Sequence, residues 1–360
     1  MKPEVRALRA MVVDDSAYNR RTIGDILASI EGVDVVGKAA DGEEALRVVT
    51  ELAPDFITLD LEMPRMDGFT FLRLLMAKRP IPVIVVSGRS AKADVFKALE
   101  LGAIDFVVKP SATVSPDLPT IRDALSEKVA MVRQLKPIGR ERAATATGLM
   151  RVATLDTRPM PEDPTPRRVI VIGSSTGGPP ALVEIFSKLP SDLPAAIVIA
   201  QHMPERFTRT FAERLERLGG LRVAELEERE PLRAGRAVVC PGGRSVEIVV
   251  KGAALWVRTT ARAAGDRYLP SVDRLFDSAA SAAGYKALGI VLTGMGDDGA
   301  RGAGAIRMAG GHVIAESEET AAIYGMPAAA VRAGAVDESL PLGAIADQIV
   351  RLVGGSRRGG

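Results

Sequence analysis

The apolar, β-branched run at residues 169–172 (Val-Ile-Val-Ile) stops abruptly in Gly173-Ser174-Ser175-Thr176-Gly177-Gly178, followed by Pro179-Pro180 and an amphipathic stretch. β-Branched side chains favour a strand, glycines permit a sharp turn, and proline is tolerated in the first turn of a helix. The segment therefore predicts a buried strand, a tight turn and a helix N-terminus, with a serine at the centre of Gly-x-Ser-x-Gly. Such a turn lifts a side chain off the sheet and surrounds it with backbone N–H groups. Two chemistries stay open for it at this point, an acyl-transfer nucleophile and a phosphate cradle. No Gly-Lys-Ser/Thr follows, which counts against a Walker-type nucleotide site.

The same strand–turn–helix alternation recurs through the 360 residues. In the first third, short β-branched or aromatic runs at 8–13, 33–36, 56–59, 83–86 and 106–108 alternate with helical periods. Ile23, Ile26, Leu27 and Ile30 follow i, i+3, i+4, i+7; Phe69, Leu72, Leu75 and Met76 form a second stripe. Thr120 is placed to cap a last helix with Ile121, Leu125, Val129 and Val132 on its apolar face. Five strands alternating with five helices predict a doubly wound parallel sheet over residues 8–135. Periodicity then disappears over 136–166, where Pro137, Pro159, Pro161, Pro164 and Pro166 are spread among Ala, Thr and Arg. So long a structureless loop does not suit the inside of a compact domain, so an interdomain linker is expected.

Residues 167–354 are again α/β. Runs at 169–172, 196–199 and 288–292 read as buried parallel strands, and 246–250 and 254–258 flank Lys251-Gly252 as a hairpin. Phe207, Phe211, Leu215 and Leu218 give one helix a core stripe; Val272, Leu275, Phe276 and Ala279 give another. Beyond Val353 a Gly-Arg tail is expected to fray.

A net charge of +2 gives no electrostatic case for nucleic acid or for an anionic membrane surface. The single cysteine, Cys240, excludes an internal disulfide and suits a reducing compartment. No apolar run reaches membrane-spanning length and no signal-peptide core is present, so a cytoplasmic protein without membrane insertion is expected. His202 and His312 are the only histidines, which narrows the search for a general base.

Two constellations carry chemistry. In the first, Asp14 and Asp15 end the first predicted strand, Asp60 the third, Ser87 the fourth and Lys109 the fifth. The C-terminal strand ends of an open parallel sheet converge on one crevice, so these residues can meet. Three carboxylates there repel one another unless a hard divalent cation, Mg²⁺ by its taste for oxygen, sits among them. Asp60 is then placed to attack a phosphoryl donor, with Lys109 neutralising developing charge and Ser87 donating a hydrogen bond to the new phosphoryl group. In the second constellation, Ser175 sits in the glycine turn, His202 follows the strand at 196–200, and Asp298 follows the strand at 288–292. A serine hydroxyl needs an imidazole to take its proton, and a carboxylate fixes that imidazole's tautomer. Ser174 and Asp297 are adjacent rivals for two of these roles. His312, between Gly311 and Val313, opens another strand and reads as structural. A further motif, Gly294-x-Gly296-x-x-Gly299 with Glu316 ending the next strand, has the outline of a dinucleotide fingerprint.

The pieces Val12-Val13-Asp14-Asp15-Ser16, Leu59-Asp60-Leu61-Glu62-Met63-Pro64, Asp67-Gly68, Ser87-Gly88 and Lys109-Pro110 resemble the receiver domain of two-component response regulators. That resemblance implies a flavodoxin-like fold, Asp60 as phosphoacceptor, Mg²⁺ held by Asp15 and Asp60 with Asp14 beside them, and Phe106 at an aromatic switch position. Phe106 has no hydroxyl, so any coupling through it rests on packing. With Gly173-Ser174-Ser175-Thr176-Gly177-Gly178, Gln201-His202-Met203-Pro204, Cys240-Pro241-Gly242-Gly243, Pro270-Ser271-Val272-Asp273-Arg274-Leu275-Phe276 and Leu292-Thr293-Gly294-Met295-Gly296-Asp297-Asp298-Gly299, nearly the whole chain resembles the chemotaxis response-regulator protein-glutamate methylesterases.

The resemblance implies a Rossmann-like esterase half and picks Ser175 as nucleophile, His202 as base and Asp298 as the acid that orients it. Thr176 and Met295 become the candidate oxyanion donors. Ser174 stands where the family commonly has Ala, and Asp297 where it commonly has Asn. The implied activity is hydrolysis of γ-glutamyl methyl esters on chemoreceptors, with deamidation of receptor glutamines and no cofactor for the esterase. The implied partners are those receptors and a chemotaxis histidine kinase as phosphodonor. Joined, the two halves imply a receiver that covers the esterase cleft until Asp60 is phosphorylated. The rival from another class is a response regulator whose C-terminal half only binds a nucleotide or a partner. A DNA-binding output is weaker still, since arginines in that half are interspersed with acids.

Overall fold

The computed structural model describes residues 6–88, 92–109, 118–135, 165–218, 220–263 and 266–354. The chain forms two compact units, Met1–Met150 and Arg151–Gly360. The predicted linker at 136–166 lies almost wholly outside the described residues, as does the tail beyond Gly354.

In the first unit the order is β1 (Leu8–Val13), α1 (Ala17–Ala28), β2 (Val33–Ala39), α2 (Gly42–Leu52), β3 (Phe56–Leu59), α3 (Gly68–Lys78), β4 (Val83–Ser87), α4 (Lys92–Glu100), β5 (Asp105–Val108) and α5 (Leu118–Val132). The strands make one parallel sheet in the order β2-β1-β3-β4-β5. Every residue of β3 and β4 is buried, which is why these runs are continuously apolar rather than alternating. Helix starts are set by side chains: Ser16, Asp41 and Asp67 accept from the N–H groups of Asn19, Glu44 and Thr70.

Two sequence readings need correction. Phe71, fully buried, carries the core contact of α3, whereas Phe69 is only partly buried, with Lys97 Nζ 4.2 Å from its ring centroid. Helix α5 starts at Leu118, three residues earlier than expected, so Thr120 lies inside its first turn and not at the position before it.

The second unit continues with β6 (Arg168–Ser174), α6 (Gly178–Phe186), β7 (Ala195–Gln201), α7 (Glu205–Leu218), β8 (Arg222–Glu225), β9 (Arg229–Pro231), β10 (Arg236–Val239), β11 (Ser245–Lys251), β12 (Ala254–Thr260), α8 (Val272–Ala283), β13 (Ala287–Val291), α9 (Ala300–Met308), β14 (His312–Glu316), α10 (Met326–Arg332), β15 (Glu338–Leu340) and α11 (Leu342–Gly354). Seven parallel strands form the sheet β15-β14-β13-β6-β7-β10-β8. The predicted hairpin exists, with Lys251 paired to Ala254, and β9 adds to it as a third antiparallel strand. Strands β8, β9, β10 and β15, of three or four residues each, all include Arg or Glu and so leave less of an apolar run than the equally short β3.

The predicted stripe Val272, Leu275, Phe276 and Ala279 is fully buried against the sheet. A buried ring such as Phe276 contributes about 2–3 kcal/mol by removal from water. Strand β6 lies between β7 and β13, so the chain leaves it in one direction and returns on its other side. That switch in direction opens a crevice at the C-terminal strand ends. No helix among the described residues is long and apolar enough to cross a membrane.

Candidate active site and phosphoacceptor pocket

In the first unit, β1 delivers Asp14 and Asp15, β3 delivers Asp60, β4 ends in Ser87 and β5 leads into Lys109. One oxygen from each of Asp14, Asp15 and Asp60 lies within 4.8 Å of the others, Asp14 and Asp60 being buried and Asp15 exposed. Lys109 Nζ bridges the buried pair, 2.9 Å from Asp14 Oδ2 and 2.5 Å from Asp60 Oδ2. Burial, reinforced by the charge of Asp60, raises the Asp14 pKa above the usual carboxylate range despite Lys109. Burial pulls the Lys109 ammonium down, but Asp60 and Asp14 outweigh it and its pKa rises. The cluster is therefore rich in negative charge at its inner end, and three convergent carboxylate oxygens are the donor set of a hard divalent cation. Ser87 is buried and its carbonyl accepts from the Lys109 N–H at 2.8 Å. Phe106 is buried on β5.

In the second unit the glycine turn distinguishes its two serines. Ser174 has no exposed surface, and its hydroxyl donates to Gln201 Oε1 at 2.7 Å. Ser175 is 8% exposed at the mouth of the turn. The Gln201 amide donates to the Ser175 carbonyl at 2.8 Å and the His202 carbonyl at 3.0 Å, and the His202 N–H donates to the Ser174 carbonyl at 2.9 Å. The ends of β6 and β7 are thus laced together around the serine. Beyond the turn, α6 begins at Gly178 with its positive N-terminal end toward Ser175. The Ser175 N–H itself is committed to the Thr293 carbonyl at 3.0 Å.

His202 Nε2 lies 2.8 Å from Asp298 Oδ2. The carboxylate is held from behind by the start of α8: Val272 N–H donates to Oδ2 and Asp273 N–H to Oδ1, both at 2.8 Å, with Ser271 Oγ at 3.4 Å. Asp273 reciprocates, accepting from the Gly299 and Gly302 N–H groups at the start of α9, at 3.0 and 2.9 Å. Two helix N-termini therefore exchange carboxylates across the site. Burial works to raise Asp298, but the His202 contact and the two backbone donors prevail and its pKa falls below the ordinary value. Asp297 points elsewhere, exposed and 3.4 Å from the Arg267 guanidinium. His312 lies at the start of β14, 2.8 Å from Glu338, away from this constellation.

The dinucleotide-like fingerprint has another physical origin. A Cβ on Gly294 would lie 2.8 Å from Ser175 Cβ and 2.3 Å from Met326 Sδ, so that glycine lets two backbones close around the serine. Glu316 is fully buried and accepts from the Thr293 N–H at 2.9 Å, so its carboxylate ties the end of β14 to the loop after β13. Side chains the sequence reading left without a role also shape the site: Gln201, Asp273 and Tyr268, whose ring stacks on His202 at 4.9 Å. The Ser271 cap preceding an acidic first-turn residue was the available signal for Asp273. Nothing in the pattern marks Tyr268, because its contact is made across the cleft.

A receiver-like sheet followed by a seven-stranded α/β unit with a Ser, a His–Asp pair and a glycine turn at its strand ends defines a response regulator with an enzymatic output half. Residues 10–115 match the response regulator receiver domain family, and residues 170–349 match the CheB methylesterase family. The chain is 46% identical to "Protein-glutamate methylesterase/protein-glutamine glutaminase 3" of Geobacter sulfurreducens, over 97% of this chain and 98% of that protein. It is 48% identical to the corresponding protein 6 of Anaeromyxobacter dehalogenans, over 98% and 97%. The crystal structure of the Thermotoga maritima CheB methylesterase catalytic domain superposes with a TM-score of 0.51 at 36% identity, covering 52% of this chain and 98% of that one. The chain belongs to the CheB methylesterase family, in the form that carries a receiver domain.

Proposed function

We propose that this chain hydrolyses glutamate γ-methyl esters on chemoreceptors, and deamidates receptor glutamines, through Ser175, His202 and Asp298, under control of phosphorylation at Asp60. The observation that carries this reading is the His202–Asp298 contact of 2.8 Å at the strand ends beside the Ser175 turn. With Nε2 held by Asp298, Nδ1 is the imidazole nitrogen left to exchange a proton with substrate and nucleophile. Ser175 Oγ attacks the ester carbonyl and gives its proton to Nδ1. The tetrahedral intermediate collapses, the C–O bond to methoxide breaks, and Nδ1 returns the proton to release methanol. Water then repeats the sequence on the acyl-enzyme, freeing the carboxylate and Ser175. With a glutamine the first leaving group is ammonia. Asp298, ionised by its helix N-terminal donors, stabilises the imidazolium in both halves. Thr176 and Met295 are the backbone donors proposed for the oxyanion, each worth about 3–4 kcal/mol in comparable sites.

In the receiver, residues 8–135 on this reading, Asp60 takes the phosphoryl group from a chemotaxis histidine kinase. Asp14, Asp15 and Asp60 would hold Mg²⁺, which when bound offsets negative charge on the phosphoryl oxygens. Lys109 neutralises the remainder, Ser87 donates to the phosphoryl group, and Phe106 couples the change through packing. The linker 136–166 passes it to the methylesterase unit at 167–354. The setting is the cytoplasm, where receptor signalling helices and the kinase meet.

The direct test is methanol release from methylated receptor. Ser175→Ala should abolish it, while Ser174→Ala, which removes one internal hydrogen bond worth about 1 kcal/mol, should keep it. The reverse result would sink the assignment. Removing residues 1–140 should raise release above that of the unphosphorylated full chain; no increase would refute restraint by the receiver.

A further inference from the structure

The ring of Tyr268 lies against the His202 imidazole with centroids 4.9 Å apart and planes 11° from parallel. This is a face contact, so it takes up neither imidazole nitrogen: Nε2 stays on Asp298, and no group among the described residues hydrogen-bonds to Nδ1. Among the contacts described for the imidazole, the Asp298 bond fixes one ring atom and leaves rotation about the Cβ–Cγ bond only weakly constrained. A flat neighbour removes that freedom.

Tyr268 is itself gripped by the loop that carries the acid. Gly296 sits at φ +89°, and a Cβ there would come 2.7 Å from Tyr268 Oη. The second glycine of the fingerprint-like motif is thereby accounted for, because only a hydrogen fits between that loop and the phenol. The Arg267 guanidinium carbon lies 5.5 Å from the same ring's centroid, and Arg267 pairs with Asp297 on that loop. The charged groups met in these contacts are Asp298 on His202, Asp273 behind it, and Arg267 with Asp297 by the phenol.

We infer that Tyr268 is a positioning residue of the esterase, its ring holding the His202 imidazole in the plane where Nε2 meets Asp298 and Nδ1 remains available to Ser175. The inference rests on the Ser175–His202–Asp298 reading proposed above. A positioning ring acts on the chemical step and not on affinity, and its hydroxyl is dispensable.

The test uses the full chain with Tyr268→Phe and Tyr268→Leu, assayed for methanol release from methylated receptor at varied substrate concentration. Tyr268→Leu should lower kcat about tenfold with KM within about twofold, the scale of one lost stacking contact. Tyr268→Phe should restore kcat to within about twofold of the parent. Gly296→Ala, which displaces the phenol without removing it, should also lower kcat, and Tyr268→Phe in that background should recover part of the loss; this pair decides the matter if the Leu variant does not fold. A Tyr268→Leu kcat within twofold of the parent overturns the inference. So does a Phe variant as impaired as Leu, or a loss confined to KM. Ser175→Ala in the same assay keeps the two proposals apart: methanol release by that variant refutes the serine relay whatever the Tyr268 series shows.

Discussion

Asp14 in the receiver and Asp298 in the esterase make an instructive pair. Both are buried carboxylates beyond the C-terminal end of a parallel strand, and burial works to raise both. Their surroundings then diverge. Asp14 has another carboxylate, Asp60, beside it and shares a single lysine with it, so its pKa ends above the ordinary value. Asp298 receives two helix N-terminal N–H groups and an imidazole, and ends below. An acid surrounded by donors is finished within the chain and can orient a base through every turnover. An acid crowded by acids is left to be completed by something that binds, which suits a site that must respond to a signal.

The largest effect expected on this contrast comes from Asp298→Asn. On the proposed mechanism the amide removes the charge that stabilises the imidazolium, and kcat for methanol release should fall about 10³-fold, ~4 kcal/mol. A fall of less than tenfold would show that the helix N-terminal donors matter more than the carboxylate they hold. Asp14→Asn should act in the opposite sense and on stability. Because the folded pKa of Asp14 is raised, its folded form favours the proton. The associated stability is present below the unfolded value of about 3.9 and is lost as pH rises through the folded one. An amide mimics the protonated acid, so the receiver should be stabilised at pH 7 relative to the parent. That gain should vanish in urea unfolding below about pH 4, where Asp14 is protonated in both states. The same variant should weaken Mg²⁺ binding. A receiver destabilised at pH 7 would place the Lys109 pair, not the carboxylate repulsion, in control.

Legibility in the sequence followed the length and the locality of each signal. The long buried strands, the capped helices and the hairpin at Lys251-Gly252 were readable because their residues are neighbours in the chain. The short strands β8, β10 and β15 were not, since each includes an Arg or Glu, whereas the equally short β3 is a continuous buried run. Phe71 takes the core position expected of Phe69 because the buried face of α3 runs through Gly68, Phe71, Leu72, Leu75 and Met76, and two nearby aromatics both fit a helical period with Leu72 or Leu75. The candidate site residues were legible as strand ends, whereas the choice between look-alikes came from the family resemblance and not from the local pattern. Ser174 and Ser175 are adjacent and chemically identical, as are Asp297 and Asp298.

By itself, then, the sequence determined which residues stand at the ends of parallel strands, because apolar runs and glycine turns are local. It also showed that the carboxylates, serine and histidine chemistry needs are there. Tertiary structure decided the rest. It turned Ser174 inward onto Gln201, sent Asp297 out to Arg267, and brought the N-terminus of α8 behind Asp298. It also set the ring of Tyr268 on His202. The physical reason is that burial, pairing and a helix end's field depend on what lies across the cleft, tens of residues away in the chain.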